Sequence, residues 1–358
     1  MNTMQHESYS NETENSTRLT SLFKETKKVE VAVLFSLAMA IVVINSSVFY
    51  LFFRRKTLRT TSNYPLFSLA VCDFFCGFII IPLFAFLVFT PLIQPSGSIR
   101  FYLGFVLTVL HNFVAIATVY HIVVVTGERY LAIKAPFKHR VLHKKSILTV
   151  LIIVWLSSLV VSFLPFTWIS KIHPVLKPES SRYALSFSIF CIVFALILPY
   201  IFLVYAFIDM FKGINRRSKS LHRKKGGGML IIRRSTSSRN RSSSEGKSLA
   251  LFAMMASVYL ICWFPWFVLF LLHQLSAIDS SKLVVPSQVS LIIRYATSVA
   301  NPLLYTFMKR DFFQAFKFEF SRHRGSAIPL TDLRGQQTSR EVGSSITECR
   351  EHLYESAC

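Results

Sequence analysis

The sequence predicts an all-α membrane protein, a seven-transmembrane helix bundle followed by a short amphipathic eighth helix. Three observations carry that prediction. Composition is the first. Of the 358 residues, 16% are charged and 52% hydrophobic, the mean hydropathy is +0.46, and 34 Phe stand against 12 Gly. Soluble domains carry roughly 25% charged residues. The second is a set of seven apolar runs, each supplying the roughly 20 residues that cross a ~30 Å hydrocarbon core as helix. The third is charge: 40 Lys+Arg against 18 Asp+Glu give a net +22, and the basic residues fall between the runs on alternate sides.

The runs are Val31–Phe53, Tyr64–Phe89, Phe101–Thr126, Ile147–Ile169, Tyr183–Ile208, Leu249–Leu272 and Leu283–Met308. Helix is the spanning form that fits them, because a barrel strand alternates polar and apolar residues. Arg54–Ser62, Lys134–Ser146, Lys212–Ser248 and Lys309–Arg324 together hold 26 Lys and Arg, 12 of them in the third segment, whereas the opposite side holds 9. Positive-inside bias then sets the N-terminus outside and the C-terminus in the cytoplasm of a plasma-membrane protein. A large positive excess also suits nucleic acid. Its placement makes it an orientation signal instead, with the anionic inner leaflet as partner and no nucleic acid.

Outside the spans, residues 1–28 read as an extracellular tail without the apolar core of a cleavable signal peptide. Asn11-Glu12-Thr13 and Asn15-Ser16-Thr17 are glycosylation sequons there. Residues 29–308 form the seven-span domain. Within it, 212–248 is a basic, Ser-rich third cytoplasmic loop, of which Arg216–Ser248, with Gly226-Gly227-Gly228, is expected to be irregular and disordered, and Arg233-Arg234-Ser235-Thr236 suits a basophilic kinase. In 309–321, Phe312, Phe316 and Phe320 recur at helical spacing with Lys309, Arg310 and Lys317 between them, the pattern of an interfacial helix. Residues 322–358 are a cytoplasmic tail whose Thr338–Thr347 stretch offers hydroxyls to an arrestin-type partner. Cys72, Cys76, Cys191 and Cys262 lie in spans and Cys349 and Cys358 in the tail, so no disulfide is expected.

Ionisable residues within spans are costly and face the interior or a water-filled cavity. Here they are Asp73, His111, His121, Glu128, Arg129, Asp209 and Arg294. Several stand in company: Leu69-Ala70-Val71-Cys72-Asp73 in span two, Glu128-Arg129-Tyr130 closing span three, Trp155 in span four, Pro199 in span five, Cys262-Trp263-Phe264-Pro265 in span six, and Asn301-Pro302-Leu303-Leu304-Tyr305 ending span seven. In this order the set resembles the rhodopsin-like (class A) G-protein-coupled receptors over roughly residues 30–321.

The resemblance implies a receptor that transmits an extracellular ligand signal to a heterotrimeric G protein by outward movement of span six, with arrestin and receptor kinases as further partners. It assigns the activation switch to Glu128, Arg129, Tyr130, Glu245, Asn301, Pro302 and Tyr305, with Arg129 held by Glu128 and by Glu245 at the base of span six. It gives G-protein contact to Arg129 and to the apolar knob Pro136-Phe137. It places a sodium ion at Asp73, with Asn45, Thr118, Ser298 and Asn301 as oxygen donors. The alternative there is a hydrogen-bond network around a protonated Asp73. Apart from that sodium, no cofactor is expected.

The sequence also departs from that pattern. Gly104 stands where a cysteine ordinarily ties span three to the second extracellular loop, and 170–182 has no cysteine. Tyr259 replaces a usual Phe, and Phe207 a usual Tyr. His111 occupies the position where amine receptors hold the ligand ammonium with an Asp, and Tyr295 that of the retinal lysine. A monoamine and a photopigment are therefore disfavoured. The pocket offers His111, Trp263, Trp266, Phe267, Phe270, Arg294 and Tyr295 to a small molecule or peptide. Arg294 argues for an anionic group on that ligand, the alternative being an internal partner or snorkelling along the helix. A seven-span transporter or channel using the same polar residues is the competing class. No nucleophile–base or metal spacing argues for an enzyme.

Overall fold

The computed structural model describes residues 2–89, 97–167, 178–223, 229–275 and 279–325. Among them every regular element is helical. Seven helices are long and apolar enough to cross a membrane: span one is Lys28–Arg54, two Tyr64–Leu87, three Phe101–Lys134, four Lys144–Thr167, five Arg182–Arg216, six Gly246–Gln274 and seven Lys282–Met308. All seven expected runs are present. The exterior is apolar, with Val43, Ile153, Ile201 and Ile261 between 58% and 68% exposed, while Asn45, Asp73, His111, His121, Arg294 and Asn301 are buried. Apolar side chains outside and polar ones inside is the arrangement that lipid solvation favours.

Span three runs through the middle, touching spans two, four, five and six. One apolar core joins Leu34 and Ile41, Cys76 and Ile80, Ile116 and Val119, Ala195, Tyr259 and Trp263, and Leu291 and Tyr295. A second, smaller cluster of Ile133, Ala206, Met210, Ile214 and Leu249 packs spans three, five and six at the end bearing Glu128-Arg129-Tyr130.

Two spans change pitch where proline requires it. A proline ring clashes with the carbonyl four residues back. Pro82 acts on residue 78 and Pro199 on Ala195, and each falls inside a π-helical turn, Cys76–Ile80 and Val193–Ile197. In the first of these turns Gly77 meets span one closely, since an added Cβ would lie 2.7 Å from Ile41 Cγ2 and 3.1 Å from the Ala38 carbonyl. Overpacking of this kind costs about 1–3 kcal/mol. Gly77→Val is therefore expected to lower the thermal midpoint of the purified protein by several degrees, and an unchanged midpoint would show that span one simply moves aside.

Two helices exceed the expected segments. The helix containing span one begins at Asn2, because residues 2–53 include neither Gly nor Pro to stop it. The side chains of Asn11 and Asn15 lie outside the described residues. The expected irregular loop at Arg216–Ser248 is also mostly helical: the helix of span five continues to Arg223, and that of span six starts at Met229. Ser, Lys and Arg are tolerated in helices, the single glycines Gly213 and Gly246 cost each helix only about 1 kcal/mol, and the only run of consecutive glycines between Pro199 and Pro265 is Gly226–Gly228.

Residues 1–313 form one compact unit and 314–358 a second, whose described part is the remainder of the eighth helix, Arg310–Gly325. That helix is longer than the 309–321 expected. Phe312 is buried, and the side chain of Phe320 is outside the described residues.

Candidate functional site

Spans three, six and seven bring the expected pocket residues together around a buried cation. Arg294 is 2% exposed. Its guanidinium carbon lies 3.8 Å from the Trp266 ring centre and 5.3 Å from that of Trp263. Nε, Nη1 and Nη2 find no hydrogen-bond partner among the described residues. Among the described residues the internal partner that the sequence left open is therefore two aromatic faces and no carboxylate. Cation–π contact contributes about 2 kcal/mol when desolvated, which does not replace the hydrogen bonds of five N–H donors. Trp263 Nε1, Ser290 Oγ and Thr297 Oγ1 are buried and unpartnered as well. Sequence reasoning missed Ser290 and Thr297. They stand four before and three after Arg294, one turn to either side, and that spacing is the signal that finds them.

Below Arg294 the aromatics form a column. Tyr259 stacks on Trp263 at 5.7 Å, Trp263 meets Phe267 at 6.4 Å, and Trp266 stacks on Phe270 at 5.7 Å. His111 Nδ1 is 2.7 Å from the Leu107 carbonyl, which only accepts, so Nδ1 bears the hydrogen. Nε2, 2.5 Å from the Tyr295 hydroxyl, then receives the phenolic proton. A neutral imidazole satisfies both contacts. Phe84 closes on the ring edge-on at 6.4 Å.

The Asp73 layer lies one turn further along span seven. Asn301 Nδ2 donates to Asp73 Oδ2 at 3.2 Å, and Asn45 Nδ2 donates to the Ser298 carbonyl at 3.2 Å. Asp73 Oδ1, Asn45 Oδ1, Thr118 Oγ1 and Asn301 Oδ1 are all buried without a hydrogen-bond partner among the described residues. Orphaned oxygens on Asp73 and its partner Asn301, with others on Asn45 and Thr118 of the neighbouring spans, are the donor type that a hard cation takes. No cluster of three or more His, Cys, Asp or Glu that would suit a transition metal occurs among the described residues.

At the other end of the bundle Glu128 is the hub. Its carboxylate lies 2.8 Å from Arg129 Nε, 2.6 Å from His139 Nε2 and 2.7 Å from Ser62 Oγ. Arg129 also approaches the Phe252 ring at 6.0 Å. The side chain of Glu245 lies outside the described residues, so its expected bridge to Arg129 does too. Tyr130 donates to Asp209 at 3.0 Å, and Lys134 pairs with the same carboxylate at 2.8 Å, joining spans three and five. That contact, and those of His139 and Ser62, were not foreseen. Pro136 begins a helical turn, Pro136–Arg140, from which Phe137 projects 83% exposed. Tyr305 is fully buried, its hydroxyl unpartnered and its ring 5.3 Å from Phe312.

Lys309 was expected to open the interfacial helix 309–321. It precedes that helix, which starts at Arg310, and turns inward, donating to Asn63 Oδ1 with Asp311 Oδ2 at 3.5 Å. Asn63 Nδ2 in turn bonds the Leu58 carbonyl at 2.9 Å and Asp311 at 2.8 Å. Burial lowers the Lys309 amine to about 8 from its ordinary 10.5. Between those values the unfolded chain binds more protons, so this group's contribution to stability rises with pH from about 8 to 10.5 and is least favourable below 8. The midpoint of the wild type minus that of Lys309→Met is expected to climb across this window in detergent thermal melts. A pH-independent difference would refute the assignment.

Two further networks brace the spans. Trp155 Nε1 donates to Ser68 Oγ at 2.9 Å, Ser68 meets His121 Nε2 at 2.8 Å, and His121 Nδ1 meets the Ala117 carbonyl at 2.6 Å. The Tyr259 hydroxyl reaches the carbonyls of Ala115 at 3.1 Å and Ala195 at 3.4 Å, and Tyr120 reaches that of Phe194 at 3.0 Å. The π-helical turn before Pro199 frees those span-five carbonyls. The cysteines Cys72, Cys76, Cys191 and Cys262 are free.

Seven spanning helices, a buried aromatic and cationic cluster on one half, and a charged Glu-Arg-Tyr hub with an exposed apolar knob on the other define a seven-helix membrane receptor. Residues 44–305 match the family model for the 7 transmembrane receptor (rhodopsin family), and the chain belongs to that family. The family is one of receptors, not enzymes, and membership tells against the transporter reading. Somatostatin receptor type 1 of Rattus norvegicus is 27% identical over 286 residues, 76% of this chain and 66% of that receptor, so the match spans somewhat under two thirds of that relative's length. Octopamine receptor beta-2R of Chilo suppressalis is 24% identical over 81% of this chain and 79% of its own length. The histamine H2 receptor of Canis lupus familiaris is 24% identical over 73% and 71%.

Proposed function

We propose that this chain is a G-protein-coupled receptor of the plasma membrane, its N-terminus outside, which binds a ligand bearing a carboxylate or other anionic group. The relatives, named for somatostatin, octopamine and histamine, do not agree on a ligand. The observation that carries the reading is Arg294: a buried cation with three unpartnered nitrogens, flanked by an unpartnered indole N–H and two hydroxyls, is a set of donors for an anion. His111, bonded to Leu107 and Tyr295, carries no negative charge and gives an ammonium no counter-charge. An anionic ligand drawing on Arg294 and Trp263 bears directly on the aromatic column of span six and favours the conformer with that span displaced. The opened face then exposes Arg129 beside Phe137, and an amphipathic helix of the G protein docks there.

A sodium ion held by Asp73, Asn45, Thr118 and Asn301, beside Ser298, fits the orphaned oxygens of that layer and supplies a positive charge that opposes opening. Arrestin and receptor kinases act at the basic 212–248 segment and the tail. Asn11 and Asn15 carry glycans on the outer side.

A screen of carboxylic-acid ligands in cells, read by G-protein subtype, tests the reading, with Arg129→Ala as the uncoupled control. Acid-dependent nucleotide exchange that vanishes in Arg129→Ala is expected. Ligand-driven flux that persists in that variant would restore the transporter. In a separate measurement, sodium is expected to raise the thermal midpoint of the wild type and leave Asp73→Asn unmoved.

A further inference from the structure

Between the ends of spans five and six that lie on the side of the basic segments is a cavity of about 590 Å³. It has a sequence cause. Gly246, Ala250 and Ala253 fall at i, i+4 and i+7 and give span six a nearly bare face, opposite Phe207 and Phe211 at i, i+4 on span five. The small residues leave the space that the aromatics wall. Ile214 and Leu249, both 8% exposed, close it toward the core of the bundle. Phe211 is 60% exposed on the outer surface, so the cavity opens sideways toward the hydrocarbon and not into the bundle.

One end of the cavity is polar. Lys212 and Asn215 line it, and Arg216 stands one turn beyond Lys212 on the same helical face. Asp209, the carboxylate one turn before Lys212, already has its oxygens engaged by Tyr130 and Lys134. Lys212 makes no ion pair within 4 Å among the described residues, although its charge also acts on Asp209 one turn before it. An apolar slot open to the acyl region, ending in a cation at the level where headgroups begin, has the shape and charge of one kind of molecule. Water gains little there, since apolar cavities lack the partners that hold it.

We propose that this cavity binds an anionic phospholipid of the leaflet facing the basic segments, with one acyl chain between Phe211 and Ala253 and its phosphate at Lys212 and Asn215. The site depends on the membrane-spanning fold and not on the ligand or partner proposed above. Because it lies between the helix that would swing and the one that would stay, its occupant makes contact with both.

The test uses the full chain in detergent, titrated with phosphatidylglycerol, with phosphatidylcholine of the same chain length, or with inorganic phosphate. Bound lipid is counted by native mass spectrometry. Phosphatidylglycerol is expected to be retained at least several-fold more than phosphatidylcholine, and inorganic phosphate is expected not to displace it. Lys212→Gln removes that preference while leaving acyl binding. Ala253→Trp fills the slot and lowers retention of both lipids, with Ala250→Leu as a second filling variant should the first fold poorly. Lys56→Gln, a basic residue away from the cavity, leaves retention unchanged. Equal retention of both lipids by the wild type, unchanged preference in Lys212→Gln, or displacement by inorganic phosphate would each overturn the proposal.

Discussion

Replacing Arg294 with Met is expected to stabilise the ligand-free receptor and to abolish its response to acidic ligands. The two halves have one cause. The guanidinium is buried against Trp266 and Trp263 without a hydrogen-bond partner among the described residues. Exchanging a buried charge for an apolar side chain of similar volume is often neutral or stabilising by about 1–4 kcal/mol. A residue that costs stability at rest is explained when it is repaid on binding. Truncating one partner of a desolvated charge pair costs about 2–5 kcal/mol, between roughly 30-fold and a few thousand-fold in affinity. Arg294→Lys, which keeps the charge but not the planar fork, is expected to fall between the two. Thermal melts without ligand and dose–response curves with the most potent acid from the screen measure both halves. A destabilised Arg294→Met that still responds to acids would mean that the cation serves the fold and not the ligand.

Tyr259→Phe is expected to raise ligand-independent signalling by about 2- to 12-fold. Its hydroxyl joins span six to carbonyls of spans three and five, and Tyr200 of span five donates to the Ala256 carbonyl of span six just beside it. The outward movement proposed for span six requires these bonds to break. A net intramolecular hydrogen bond is worth about 0.5–1.5 kcal/mol, so removing the hydroxyl biases the two-state equilibrium toward the open form by that amount. Basal nucleotide exchange on the G protein, normalised to surface expression, reads the change. Tyr200→Phe should act in the same direction, and the double variant less than additively if the pair works as one clamp. Basal exchange indistinguishable from wild type in both would remove the clamp from the mechanism.

The departures from the usual receptor pattern became intelligible only in three dimensions. Tyr259 was visible as an odd residue, but its purpose depends on the π-helical turn before Pro199, which supplies the carbonyl it reaches. Arg294 was legible as a buried cation, since hydropathy alone places it inside a span. That it faces tryptophans and not an acid was not legible, because helix rotation and interhelical register leave no trace in a local pattern. Lys309 shows the converse error. The Phe spacing around it is a true amphipathic signal, yet the residue sits just ahead of the helix, where Asn63 and Asp311 take hold of it.

Taken alone, the sequence determined the number of spans, their approximate limits and which connectors share a side, and it displayed the motifs on which the family resemblance rests. Each of those follows from quantities summed along a short stretch, apolar length against bilayer thickness and basic charge against the inner leaflet. The tertiary structure alone decided the partners: His111 with Tyr295, 184 residues apart, Ser62 and His139 on Glu128, Asn63 on Asp311, 248 residues apart, and Arg294 against tryptophan faces with no hydrogen-bond partner among the described residues. Such pairings are set by how seven helices rotate and pack against each other, and that packing is a property of the whole bundle.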